Sequence, residues 1–443
     1  MRIQLSEHFT YKKLIQFVLP SIIMMIFTSI YGVIDGLFVS NFVGKTAFAA
    51  VNLIMPLLMG LSALGFMIGT GGSAIVSKAL GEGKRELANQ YFSMLVYVSV
   101  IGGIILAVTG MFLLRPLAIM LGASGELAKL CVLYGRILLV SLTAFLLQNV
   151  FQSFFVTAEK PQLGLKVTIA AGLTNIVLDY LFIAVFHWGI TGAAVATAIS
   201  EMIGGIFPVF YFARRNDSLL RLVKPRLDIR ALGRACSNGS SELMTNLSLS
   251  VVNSLYNLQL ISIAGENGVA AYGTIMYVNF IFIAIFLGYS IGSAPIIGYH
   301  FGAGNHGELK NLLRMSLSMV GICGVVLMLL AESLAAPLAD LFVGYDAALA
   351  DITCHGFRLY AVSFLITGFN IFGSAFFTAL SNGIVSAAIS FLRTLVFQVA
   401  VVLTLPILLG IDGIWLAVAV AEALTLIITV YFLVNRRKQY RYA

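Results

Sequence analysis

Four polar side chains in the first half of the chain interrupt stretches that are otherwise apolar. Asp35 stands in IDGLFVSNFVG, Asn175 and Asp179 in TNIVLDYLFI, and Thr197 in GITGAAVATAISE. Asn175 and Asp179 are four residues apart, so they share one face of a helix. Carboxylates can take up a proton, and carboxylate, amide and hydroxyl oxygens together can bind a hard cation such as Na⁺. These residue types therefore predict a cation site.

Two carboxylates enclosed away from water do not ionise independently. Loss of water and mutual repulsion both favour the neutral acid, so such a pair can hold one proton and titrate as a unit. A charge inside lipid costs about 2.5–3.5 kcal/mol, so each needs a reason to be there. That cost favours a functional role for Asp35 and Asp179. Asn175 and Thr197 could instead hold helices together through hydrogen bonds.

Glu242 is the isolated acid near the start of the seventh apolar stretch, within NGSSELMTN. It could face a central cavity, where it would neutralise a cationic solute or exchange a proton. The alternative is a hydrogen-bonded gate residue close to the cytoplasmic mouth.

Two further pairs of charged residues occupy matching positions in the two halves of the chain. Glu201 matches Glu422 at an offset of 221 residues, and Arg136 matches Arg358 at an offset of 222. A residue type present in both halves, where the rest of the chemistry has diverged, suits architecture better than substrate choice. We therefore expect a structural role for all four, in which each glutamate satisfies an arginine or helix ends within its half.

The elements that position these residues are membrane helices. The chain is 60% hydrophobic and 10% charged, whereas soluble domains are about 45–50% apolar and about 25% charged. A spanning helix needs roughly 20 mostly apolar residues, too many for a barrel strand. We predict twelve spans, at residues 14–39, 48–76, 91–114, 130–157, 163–186, 190–213, 232–264, 269–298, 312–330, 352–380, 384–409 and 414–434.

The second half of the chain repeats the first. Ala50 matches Ala271 at an offset of 221, and Gly81 matches Gly302 at the same offset. We predict an all-α polytopic membrane protein whose two six-helix bundles, related by a pseudo-twofold axis, surround a central cleft. The N-terminal lobe takes residues 1–213, a basic cytoplasmic linker 214–234, and the C-terminal lobe 235–443. The linker could include a basic interfacial helix that touches anionic lipid.

The basic residues set the orientation of these spans. Most of the 27 lysines and arginines fall on one side, and the opposite side carries only Lys45, Arg115 and Lys129. The positive-inside rule then places both termini and the linker in the cytoplasm. The net charge of +8 needs no nucleic-acid partner to explain it. In this orientation Asp35, Asn175, Asp179 and Thr197 share a layer in the outer half of the first lobe.

Other motifs that could carry out chemistry lack the residue spacing that their functions require. The GEGKR sequence at residues 81–85 lacks the first glycine of a phosphate loop, and Arg85 replaces its hydroxyl residue. His300 and His306 are expected in the loop after span eight, without ligand spacing, and the four cysteines have no metal or redox spacing. No nucleophile, base or metal constellation is visible. We expect neither an enzyme nor a cofactor, apart from a coupling ion.

The sequence resembles the multidrug and toxic compound extrusion (MATE) family over nearly its whole length. The motifs quoted above, the AAVNLIMP stretch and the two-lobe layout carry the resemblance, which is greatest to a bacterial branch. It implies a V-shaped pair of bundles in the bacterial inner membrane. The family's cation-site residues correspond to Asp35, Asn175, Asp179 and Thr197, and its acid of span seven corresponds to Glu242.

The resemblance implies secondary active efflux of organic cations or amphipathic drugs in exchange for H⁺ or Na⁺. We expect membrane lipids as surroundings, small drugs as partners and a monomeric chain. The first alternative is a flippase for a lipid-linked saccharide or peptidoglycan precursor, which would want a strongly basic cavity. An ion channel is the alternative from another class, and it would need a continuous polar pore.

Overall fold

The computed structural model describes residues 3–344 and 346–442, without the side chains of Leu37, Ser40, Asn41 and Lys45. Within these residues the chain is helical and has no strand. The helices are α1 Tyr11–Phe38, α2 Lys45–Gly81, α3 Arg85–Met120, α4 Gly125–Thr157, α5 Pro161–Asp179, α6 Gly189–Ala213, α7 Ile229–Gly302, α8 His306–Val343, α9 Ala347–Ala361, α10 Phe364–Ala379, α11 Gly383–Phe391, α12 Phe397–Leu409, α13 Ile411–Asn435 and α14 Arg437–Tyr440.

Helix α7 is two spans joined by a hairpin. Its 74 residues would extend about 110 Å as one helix, far beyond a hydrocarbon core of about 30 Å. Gly265 breaks it with a φ of 64° and a ψ of −152°. Tyr272 then stacks on Tyr256 with ring centroids 5.1 Å apart and donates a 3.0 Å hydrogen bond to Asn253. Residues 19 apart can meet in this way only if the chain reverses.

The count of twelve spans agrees with the sequence. Helices α9 and α10 are bent by 49° and together make one span. Helices α11 and α12 run on through a π-helical segment at Leu392–Val396. With α7 counted as two, the first six helices, α8 and α13 complete twelve crossings of sufficient length and apolarity. The predicted fold class is therefore confirmed.

The linker differs from its predicted form. Residues 214–228 are non-helical, and Ile229 already begins α7, so the predicted linker 214–234 ends inside a helix. The side chain of Asn216 accepts a hydrogen bond from the Ser218 backbone N–H, which stabilises a turn in place of a helix. The expectation of a basic interfacial helix in this segment is wrong for residues 214–228.

The two lobes meet through closely packed backbones at their predicted cytoplasmic ends. A Cβ atom added at Gly71 would lie 2.0 Å from the Ala235 carbonyl oxygen, and one added at Gly239 would lie 1.9 Å from that of Met67. Towards the other end the lobes diverge, and a Cβ at Gly60 would reach only the Leu247 side chain, 3.8 Å away. The cleft is therefore closed at the end that carries the linker.

Candidate cation site

Asp35 and Asp179 form the centre of the candidate site. Asp35 lies in the last turn of α1, and Asp179 is the last residue of α5. Their carboxyl groups lie close enough to interact directly. Because a carboxylate has no donor, a hydrogen bond between them requires one proton shared by the two groups.

The pair is enclosed and has no cationic partner. Asp35 is 7% exposed and Asp179 is 0% exposed. No N–H or hydroxyl of the described chain donates to Oδ1 of Asp35 or to either oxygen of Asp179. No lysine or arginine of the described chain forms an ion pair with either group. Oxygens left in this state can accept a proton or bind a cation at little structural cost.

Asn175 and Thr197 form a second, looser contact beside the carboxyl pair. The Asn175 amide lies 3.5 Å from the Thr197 hydroxyl oxygen, at the limit of hydrogen-bonding distance. Asn175 is buried, one helical turn before Asp179, and Thr197 is partly exposed. The structure thus brings the four predicted residues together in two pairs. Their function stays a prediction.

Glu201 extends the site towards α4. Its carboxylate accepts a 2.5 Å hydrogen bond from the Ser141 hydroxyl, and it lies within electrostatic range of Asp35. Tyr31 lies near Gln148 and within electrostatic range of Glu201 and Asp35. The Tyr134 hydroxyl is buried beside them without a partner in the described chain.

Sequence reasoning missed Ser141, Gln148 and the two tyrosines. All four are uncharged and common in apolar helices, so only their contacts with the carboxyls reveal them. They add hydroxyl and amide groups that can donate to a carboxylate whose proton has left. The enclosed cluster is therefore built to tolerate a change of charge.

The matching glutamate of the second lobe has different neighbours. Glu422 Oε1 accepts a 2.8 Å hydrogen bond from Arg393 Nε, and both side chains are nearly buried. Asn370 donates 2.7 Å to Glu422 Oε2, and the Thr429 hydroxyl donates 2.8 Å to the amide oxygen of Asn370. This carboxylate is fully partnered.

The two matched arginines do not hold the matched glutamates. Arg136 is exposed on α4, and Arg358 is exposed with its Nε 3.9 Å from Glu332. The arginine that satisfies Glu422 is Arg393, which has no arginine counterpart in the first lobe. Glu201 is satisfied by Ser141 instead. The sequence predicts that each glutamate satisfies an arginine or helix ends within its lobe; in the second lobe the partner is an arginine, and in the first it is the Ser141 hydroxyl.

Glu242 lies early in α7 and is only partly exposed. Its side chain accepts no hydrogen bond from the residues that the structure describes, and its charged neighbour is Arg393. The cation beside Glu242 is already bound to Glu422, and Glu242 has no direct partner of its own. Its carboxylate is therefore able to interact with a further positive charge.

Three π-helical segments lie at or next to three of the charged residues of the membrane region. They cover Val39–Val43 just after Asp35, Tyr180–Val185 just after Asp179, and Leu392–Val396 around Arg393. A π turn carries one extra residue, weakens the regular hydrogen bonding and often occurs at functional sites. Nothing in the sequence identifies these turns in advance.

Twelve helices in two duplicated lobes, with an enclosed carboxyl pair in one of them, define a polytopic membrane transporter fold. The MatE family model matches residues 20–181 and matches again at residues 243–404. The chain belongs to the MatE family. The double match also confirms the duplication read from the sequence.

A curated relative and two solved structures are similar over almost the full chain. The multidrug export protein MepA of Staphylococcus saprophyticus is 24% identical over 432 residues, 96% of this chain and 94% of the relative. A crystal structure of MATE in complex with MaL6 matches with a TM-score of 0.92 at 24% identity, covering 98% of each chain. The outward-facing conformation of a multidrug resistance MATE family transporter matches with 0.92 at 23% identity, again over 98% of each. At these identities the structures establish the fold.

Proposed function

We propose that this protein is a secondary active multidrug efflux antiporter. It exports organic cations or amphipathic drugs in exchange for H⁺ or Na⁺, by alternating access across a bacterial inner membrane. The family, the name of the MepA relative and the two-lobed cleft support this function. The closure of the cleft at its predicted cytoplasmic end corresponds to a state open to the outside.

The carboxyl pair of Asp35 and Asp179 is the observation that carries the proposal. The two carboxyls can be hydrogen-bonded only if a proton lies between them, and no lysine or arginine of the described chain is paired with either group in place of that proton. Loss of the proton leaves two negative charges in contact in an apolar lobe, which is unfavourable. The charge state of the pair can therefore bias the packing of α1 against α5.

Coupling requires that the ion binds one conformation better than the other. The outward state admits a proton to the pair, and the singly protonated pair relaxes the repulsion between α1 and α5. The lobe then repacks, and the cleft opens to the cytoplasm. Release of the proton to the cytoplasm restores the repulsion and the first packing. The same oxygens, with Asn175 and Thr197, would serve Na⁺ if it replaces the proton.

Glu242 supplies the attraction for a cationic substrate in this scheme. Its side chain lacks a hydrogen-bond donor among the described residues, whereas Glu422 is already paired with Arg393. A drug cation near Glu242 is also close to Arg393, which repels it. The substrate is therefore held weakly enough to leave when the cleft opens.

The test is efflux of a cationic dye from proteoliposomes, driven by a pH gradient alone or by a sodium gradient alone. Asp35→Asn and Asp179→Asn each remove a titratable carboxyl at nearly constant size, and we expect both to abolish gradient-driven efflux. Asp340→Asn neutralises an exposed carboxyl of α8 and serves as the control. Wild-type efflux from both cluster variants would disprove the mechanism. The gradient that drives the wild type identifies the ion.

A further inference from the structure

The chain segment before α1 is hydrogen-bonded to both lobes. The Leu5 backbone N–H donates 2.7 Å to Glu159 of the first lobe, in the turn between α4 and α5. Three residues further, the His8 ring nitrogen Nδ1 lies 2.6 Å from Glu308 Oε2, at the start of α8 in the second lobe. The Phe9 N–H donates 2.9 Å to Glu308 Oε1. The segment therefore spans the seam between the lobes.

Packing holds the segment in place as firmly as its hydrogen bonds do. Leu5 and Phe9 are buried, with 0% and 1% of their surface exposed. The Phe9 ring packs edge to face on His300, which lies in the last turn of α7 and not in the loop expected from the sequence. Asn311 of α8 donates 2.9 Å to the Phe9 carbonyl. Such burial is not expected of a dangling terminus.

The linker before α7 makes the corresponding contacts on the first lobe. The Arg221 N–H donates 2.9 Å to the side chain of Asn89, and the Val223 N–H donates 2.8 Å to the hydroxyl of Ser93. Both acceptors lie on α3. Asn89 and Asn311 match at an offset of 222 residues in the sequence. Each segment that enters the first helix of one lobe is thus tied to the third helix of the other lobe.

The two segments differ in whether chain connectivity alone explains their positions. The linker must pass from the first lobe to the second, so its contact with α3 follows in part from its path. Connectivity does not require the segment Leu5–Phe9 to contact the second lobe, since it leads into α1 of the first lobe. Its ties to α8 are additional to chain connectivity and cross the seam at the closed end of the cleft.

We propose that residues 5–9 and 219–223 are a pair of crossed straps that hold the cytoplasmic ends of the lobes together. Glu308 is the main anchor, because it binds the backbone of Phe9, the ring of His8 and the amide of Asn311. The contacts of Glu308 with residues 8 and 9 must break before the cleft opens to the cytoplasm. This device rests on the alternating access proposed above.

The experiment measures the separation of the lobes with spin labels at Lys166→Cys on α5 and Arg314→Cys on α8. Both positions are exposed, and the four native cysteines are replaced by alanine. Glu308→Ala removes the anchor, and we expect the long-distance population to rise at least threefold. His8→Ala removes one tie from an exposed side chain, so it cannot unfold the core, and we expect a smaller rise. Asn89→Ala removes the α3 side chain that binds the other strap, and it shifts the distances in the same direction.

His355→Ala is the matched control. The His355 ring lies 2.8 Å from Asp412, so it forms a His–carboxylate contact of the same type, but within the second lobe and at the other end of the cleft. It leaves the distances unchanged. Wild-type distances in both Glu308→Ala and His8→Ala would overturn the straps. A shifted distribution in a protein that moves no dye would keep the straps and refute the antiport function.

Discussion

Glu201 and Glu422 occupy the same place in two copies of one fold, yet one carboxyl is partnered by a hydroxyl and the other by a guanidinium. Glu201 receives the Ser141 hydroxyl beside the Asp35 and Asp179 pair. Glu422 receives Arg393 and Asn370. Duplication has preserved the position of the acid and changed its electrostatic setting.

The difference arises from two positions on the fifth membrane span of each lobe. Arg393 corresponds to Ala171 or Gly172 of the first lobe, at offsets of 222 or 221, and neither can carry charge. Conversely, Asp179 corresponds to Ala400 or Val401. The second lobe thus neutralises its buried acid permanently, while the first leaves its acids to be neutralised by something mobile. A lobe with a permanently paired acid beside a lobe with unpaired carboxyls fits the ion-driven mechanism proposed above.

The largest effect is expected from replacing the two aspartates of the first lobe. In the proposed mechanism the two aspartates share one proton and act as a unit, so removing either removes the switch. We expect Asp35→Asn, Asp179→Asn and the double variant to have the same efflux rate, that of empty vesicles, with no additivity. Dye efflux under a pH gradient measures it. Two partial, additive losses would show that the carboxyls work separately.

The next largest effect is expected from breaking the buried ion pair of the second lobe. Arg393→Ala leaves Glu422 buried without its cation, and such a loss costs about 3–5 kcal/mol. We expect a marked fall in the thermal unfolding midpoint measured in detergent.

Replacing both members of that pair provides the control. Arg393→Met combined with Glu422→Met removes both charges at similar volume and restores most of the stability, because buried pairs can often be exchanged for apolar ones. If Arg393→Ala unfolds at the wild-type temperature, the pair is not the permanent tie described here.

Much of this fold follows from the sequence. Apolar length gives the spans, and the repeat gives the two lobes. The break between spans seven and eight at residue 265 falls between the predicted segments 232–264 and 269–298. The distribution of lysine and arginine predicts an orientation that nothing in the fold contradicts.

Side-chain partnership does not follow from the sequence in the same way. Counting residues along each span predicts that Asp35, Asn175, Asp179 and Thr197 lie at a similar depth, because helices in a membrane restrict where a residue can lie. It cannot say that Glu422 takes Arg393 and not Arg358, since that choice depends on helix rotation. The π-helical segment at Leu392–Val396 sets the rotation locally and leaves no pattern in the sequence. The non-helical form of the linker is likewise not predictable from its residue types, because its many arginines are compatible with a helix.

Glu201 gives an intermediate effect. Glu201→Gln keeps the size of the side chain and can still accept from Ser141, so we expect a folded protein with unchanged unfolding temperature. Gradient-driven efflux should fall several-fold, because one charge near Asp35 is lost. Glu422→Gln is the partner experiment, and it should lower stability more than efflux. The reverse pattern, with Glu201 needed for stability and Glu422 for transport, would invert the assignment of the two lobes.

The smallest effect separates burial from distance within the second lobe. The pair His355–Asp412 and the pair Arg393–Glu422 both have an N···O distance of 2.8 Å. The side chains of the first pair are 58% and 45% exposed, and those of the second are 13% and 3% exposed. Water and salt screen an exposed pair, which contributes about 0–1 kcal/mol. We therefore expect His355→Ala to change the unfolding midpoint little, and less still in high salt. A loss comparable to that of Arg393→Ala would mean that distance alone, and not enclosure, decides how strongly these ion pairs hold the lobe.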